Sequence, residues 1–151
     1  MTTINPCVDF NGNAEEAFNF YKSVFGGEFL GVMRWKDISG SEGCEEMKLA
    51  DNELEKIMHI ALPIGNGSIL MAYDGIESSG QKHIAGNNFS IAVGADSKEE
   101  LETLFNGISE GGTVTVPLAD AFWGAYFGMC TDKFGIQWMF NYDYNQNKTV
   151  Q

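Results

Sequence analysis

Two histidines, a single arginine and three cysteines are the scarce chemical groups of this chain. His59 sits in an apolar run and has two readings. It could be a ligand or general base, since imidazole titrates near neutrality, or a strand histidine hydrogen-bonded to a neighbour. A lone histidine needs partners to make a site, so the plainer reading weighs more. Asp74, at the end of the next apolar run, is the candidate partner across a hairpin. Arg34 carries a planar fork that can clamp a carboxylate or phosphate. Against 21 acidic residues, an ordinary surface ion pair is its plainer role. His83 falls in a polar stretch and reads as solvated. Cys7, Cys44 and Cys130 are far apart with no C-x-x-C pair, which argues against a disulfide scaffold or zinc knuckle. Cys7 and Cys130 read as small buried hydrophobes. Phe122, Trp123, Tyr126, Trp138 and Phe140 gather near the end of the chain, where rings can stack on a flat ligand or fill a core or dimer interface.

The charge balance removes whole classes of partner. Acids outnumber bases 21 to 9, giving a net charge of −12, which repels phosphate backbones and acidic membrane surfaces. No nucleic-acid or membrane partner is therefore expected. No apolar segment approaches the roughly 20 residues that span a bilayer. The opening Met1 to Pro6 has no basic stretch followed by an apolar run, so a cytoplasmic location is the default. Gly65-Asn66-Gly67 and Gly111-Gly112 do not open a helix after a strand, so neither reads as a phosphate loop.

The elements that must position these side chains are written twice. Asn13-Ala14-Glu15-Glu16 and, 84 residues on, Ser97-Lys98-Glu99-Glu100 are both capping-box signals for a helix start. Ala17, Phe20, Tyr21 and Val24 follow the first at helical spacing; Leu101, Leu104, Phe105 and Ile108 follow the second. Phe20 and Leu104 are expected to be buried at matching positions. Gly26-Gly27 and Gly111-Gly112 close the two helices. Strand-like runs surround them in the same order: Asn5 to Phe10 and Phe29 to Trp35, then Ile57 to Ile64 and Ser68 to Asp74 about a glycine turn. In the second half the runs are Asn88 to Val93, Thr113 to Pro117, Tyr126 to Thr131 and Gln137 to Tyr142. The expected architecture is α+β, two βαβββ units within a single domain spanning 1–151. The first unit covers 4–74, a linker 75–87, and the second unit 88–143. The acidic stretch 36–56 reads as a cover over something, and 145–151 as a tail.

This order, with N-G-N-A-E-E-A-F-N-F-Y at Asn11 to Tyr21 and F-G-G-E at Phe25 to Glu28, resembles the glyoxalase/bleomycin-resistance (vicinal oxygen chelate) superfamily, PhnB-like branch. Met58-His59-Ile60-Ala61, Phe122-Trp123-Gly124 and the run Asp132 to Trp138 support the resemblance. It implies paired half-barrels enclosing a cavity, and in metal-dependent members His and Glu ligands on the strands that line it. Carried over position by position, those ligands fall near Pro6, near Asn88 and at Met139, so the usual metal site is expected to be missing. In the family register Gln137 and Met139 face the cavity, while Trp138 packs against the helices. Trp123 then ranks above Trp138 as a ligand contact. PhnB-like sequences are sometimes labelled methyltransferases, but no Gly-rich strand-to-helix turn is present to hold a methyl-donor nucleoside.

The expectation is a small-molecule-binding protein that sequesters or processes a metabolite or antibiotic, contacted by Arg34, His59, Asp74, Asn88, Trp123, Gln137 and Met139. No cofactor is expected. The alternative is a metal-dependent lyase, isomerase or dioxygenase-type enzyme with a divalent ion on non-standard ligands. The resemblance also implies a homodimer, with 122–129 near the shared boundary.

Overall fold

The apolar stripe after each capping signal winds into a twelve-residue helix, and the strand-like runs around it form a four-stranded sheet. In chain order the elements are β1 (Cys7–Phe10), α1 (Ala14–Phe25), β2 (Gly31–Arg34), a single turn α2 (Trp35–Ile38), β3 (Ile57–Ile64) and β4 (Ser68–Asp74). There follow β5 (Ile91–Gly94), α3 (Lys98–Ser109), β6 (Thr113–Ala121), β7 (Ala125–Thr131) and β8 (Gln137–Asp143). The computed structural model describes residues 1–38 and 48–145. Cys44, part of the acidic cover and most of the tail lie outside them. The chain divides into two compact units, Met1–Ile84 and Ala85–Gln151.

Both sheets are mixed and share one topology. The first is ordered β1-β4-β3-β2 and the second β5-β8-β7-β6, with the leading strand parallel to its neighbour and the rest antiparallel. This is the βαβββ unit, twice. Each helix covers one face of its own sheet. Under α1 lie Val8, Phe10, Ile60, Leu62, Leu70 and Ala72, all buried, with Phe18 edge-on to Phe10 at 6.3 Å between ring centres. Under α3 lie Trp138 and Phe140, with Phe105 edge-on to Phe140 at 5.3 Å.

Several expectations about these elements need correction. The inward stripe of α1 is Ala14, Ala17, Phe18 and Tyr21, so Phe20 is only half-buried, and so is Leu104 on α3. The stripe is the expected i, i+3, i+4, i+7 set begun three residues earlier. Asn13 makes no side-chain cap bond. The cap comes instead from Asp74, whose Oδ1 accepts from the Gly12 and Ala14 N–H groups at 2.9 and 3.0 Å. In the second unit Ser97 caps as expected, its Oγ accepting from the Glu100 N–H at 3.1 Å, while Glu100 Oε2 reaches past the cap to the Asp96 N–H at 3.0 Å. Strand β6 runs through Pro117, where the sequence reading ended it. Proline is tolerated there because β6 is an edge strand and its register shifts around that residue. Cys7 is exposed, whereas Cys130 is buried as expected.

Candidate functional site

Strand alternation gives each sheet a helix-covered face and an open face. In the first unit Val8, Phe10, Leu70 and Ala72 turn toward α1, so Cys7, Asp9, Met71 and Tyr73 turn away. Register sets Cys7 beside Met71 and Asp9 beside Tyr73, while His59 pairs with Met33 on the outer strand.

Asp9 is the hub of this face. Tyr73 is its register partner on β4, and the Tyr73 hydroxyl is held above its ordinary range by burial first and the Asp9 charge second. Although Cys7 is exposed, partial desolvation of its sulfur and then Asp9 also push the thiol up, so near neutrality Cys7 is a poor nucleophile. His83 Nδ1 stands 3.7 Å from Asp9 Oδ1. This corrects the reading of His83 as solvated: the ring is half-buried, because the chain after β4 folds back onto β1. The Asp9 carboxylate lies against the backbone at Gly75, where an added Cβ would stand 3.1 Å from Oδ1. Beside it runs a groove of about 470 Å³, lined among others by Asn11, Glu77, Gln81, Lys82 and His83. An Asn and a Gln amide, a carboxylate, an ammonium and an imidazole edge suit a small polar molecule.

Asp74 is the clearest departure from the expected site. It is 1% exposed, and besides its two bonds at the start of α1 its Oδ2 accepts from the Ile57 N–H at 2.8 Å. Both oxygens are spent on backbone, on the helix side of the sheet, so Asp74 is neither a partner of His59 nor a ligand contact. Arg34 lies in an ion-pair network. It donates to Glu15 and to the Glu55 carbonyl at 2.8 Å, with the Glu55 carboxylate at 3.8 Å.

In the second unit Gln137, Met139 and Asn141 share the open face with Thr131, Met129 and Phe127 of β7. Trp123, on the β6–β7 turn, stacks edge-on against Phe127 at 5.5 Å and against the exposed Phe122 at 5.0 Å. Trp123 and Met139 are thereby joined through one row of soft and aromatic side chains. The Gln137 amide donates to the Phe89 carbonyl at 3.1 Å. Asn88 is exposed in a bend before β5, which starts only at Ile91, so it is not a strand position. Trp138 is buried, and its indole N–H donates to Asp132 at 2.8 Å.

Compared with known proteins, the chain matches the Glyoxalase/Bleomycin resistance protein/Dioxygenase superfamily over residues 3–140. It belongs to that superfamily. Protein PA1353 of Pseudomonas aeruginosa has a similar crystal structure, at 38% identity and a TM-score of 0.81, covering 95% of this chain and 98% of that one. A PhnB protein from Bacillus cereus, named as a candidate 3-demethylubiquinone-9 3-methyltransferase, is 25% identical with a TM-score of 0.69, covering 93% and 99%. Protein YjdN of Escherichia coli is 28% identical over 144 residues, 91% of this chain and 93% of YjdN. This glyoxalase-superfamily chain is thus PhnB-like.

At the strand positions where the superfamily's divalent ion is held, the described side chains do not fit it. On β1 the open-face positions are Cys7 and Asp9, and Pro6 only accepts a backbone bond from Met71. On β5 and β8 they are Ala92, Gln137, Met139 and Asn141. Among the described residues no group of three His, Cys, Asp or Glu side chains could hold a metal ion.

Sequence reading missed Asp9, Tyr73 and the nearness of His83. The signal for the first two was there: Asp9 alternates with Val8 and Phe10, and Tyr73 with Ala72. The return of His83 onto β1 had no local signal.

Proposed function

We propose that this PhnB-like protein binds a small molecule on the open face of its sheets, sequestering or processing a metabolite or antibiotic without the superfamily's metal. The observation that carries this reading is the Asp9 hub, on the sheet face turned away from α1, with His83 joining it to a polar groove. Side chains there are suited to orienting hydroxyl and amide groups, and Trp123 with Met139 offers a softer apolar surface in the second unit. Residues 122–129 contribute that surface. A methyl-donor nucleoside has no Gly-rich strand-to-helix turn to enter, so the methyltransferase name of the Bacillus cereus PhnB protein is not carried over.

The same reading includes a homodimer. Leu30, Val32 and Met33 on and beside β2, and Val114 and Val116 on β6, are exposed apolar residues at the outer edge of each sheet. Edges of this kind favour pairing with a second copy. No helix among the described residues is long and apolar enough to cross a membrane. A cytoplasmic site of action is part of the same reading, and the acidic charge argues against nucleic acid as a partner.

A thermal-shift screen of chelator-treated protein against metabolites and antibiotics tests the proposal. A ligand should raise the melting temperature without added metal. Stabilisation only after a divalent ion is supplied would favour a metal-dependent lyase, isomerase or dioxygenase instead.

A further inference from the structure

We infer that Asp9 and His83 form an acid–base dyad whose Nε2 accepts protons from a small hydroxyl- or carbonyl-bearing molecule seated in the adjoining groove. The inference rests on the small-molecule reading above and assigns that site a chemical role.

The first argument is the ring's orientation. His83 Nδ1 is closed off from solvent and has no hydrogen-bond partner among the described residues, yet it faces Asp9 Oδ1 at 3.7 Å. A buried imidazole nitrogen without a partner is costly, and closing by less than about 1 Å would give it one. Such contacts are often long before a ligand binds and tighten on binding. A quarter of the His83 side chain stays exposed, and the ring lines the groove. With Nδ1 shut away, the accessible edge is the one that carries Nε2. A carboxylate on Nδ1–H holds an imidazole in the tautomer whose free electron pair sits on Nε2.

The second argument is what surrounds that nitrogen. Lys82 lines the same groove and brings a positive charge, Asn11 and Gln81 bring amides, and Glu77 disfavours multiply charged anions. In the step proposed, the Nε2 pair takes a proton from a ligand hydroxyl or from a carbon next to a carbonyl. The bonding electrons remain on the ligand as an alkoxide or enolate, whose negative oxygen Lys82 is placed to stabilise. The imidazolium is balanced by the Asp9 carboxylate, whose Oδ1 stands 3.7 Å from Nδ1. The proton then returns to the ligand at the same or a neighbouring atom. No oxidant, reductant or metal enters the balance.

The chain has two histidines, so their ring resonances are assigned by comparing wild type with H59Q. Long-range proton–nitrogen spectra at pH 8 should show His83 as the Nδ1–H tautomer in wild type and as Nε2–H in D9N, with His59 unchanged. Asp9 is a half-exposed position, so the isosteric D9N keeps the fold. Diethyl pyrocarbonate, which acylates an accessible neutral imidazole nitrogen, supplies the second readout. Peptide mapping should find the adduct on His83, formed about threefold or more slowly in D9N. An Nε2–H tautomer in wild type, a tautomer indifferent to D9N, or no adduct on His83 would each overturn the dyad. A ligand that still stabilises the protein in that case leaves the binding proposal standing, so the two failures are distinguishable.

Discussion

Three backbone N–H groups converge on the Asp74 carboxylate, from Gly12, Ala14 and Ile57, joining β4 to the entry of α1 and the start of β3. Each bond to a buried charge contributes more than a neutral one, and removing the carboxylate leaves the donors orphaned. D74A should therefore lose about 3 kcal/mol or more of stability, measured by urea unfolding. A loss within error would mean that water replaces the carboxylate at no cost. Cys130 makes a pH-dependent prediction. Burial first, and the nearby Asp132 second, push its thiol from 9.0 up to about 11 in the folded protein. The unfolded thiol ionises first, so its stabilising contribution is complete below pH 9 and is lost as pH rises toward 11. The urea midpoint should fall between pH 8 and pH 10, less steeply in C130A. At this scale the sequence allowed His59 and Arg34 to be singled out by rarity, but not Asp74's true task. A carboxylate at a strand end looks the same whether it faces a ligand or caps a helix 60 residues away.

The two helices begin in the same sequence pattern but are capped by different chemistry. Ser97 bonds the Glu100 N–H, so S97A should cost about 1 kcal/mol. Asn13 makes no such bond, so N13A should cost only a few tenths. Equal losses in the two variants would contradict this division. After α3 the chain passes close to the end of β7: an added Cβ at Gly112 would stand 2.2 Å from the Thr131 carbonyl oxygen. Only glycine fits that approach. The repeat and the strand order were legible because capping signals and apolar period are local. The ends of β5 and β6 were not, because Asn88 lacks a strand to pair with and Pro117 is permitted by its edge position, both facts of topology.

At the scale of the whole molecule, the exposed apolar residues of the outer strands β2 and β6 predict self-association. Light scattering at micromolar concentration should give about twice the chain's 16.6 kDa, and a mass fixed at one chain on dilution and concentration alike would contradict it. The family was legible from many weak fragments in order, whereas the Asp9 hub depends on a segment far along the chain returning to β1. The central claim is that a small molecule binds at that hub without metal. Amide chemical-shift mapping on chelator-treated protein, with a ligand taken from the thermal-shift screen, tests it most directly. The account predicts shifts centred on Asp9, Tyr73, Gly75 and Lys82, appearing before any divalent ion is added. Shifts that leave these residues untouched, or that appear only once a metal is supplied, would contradict it.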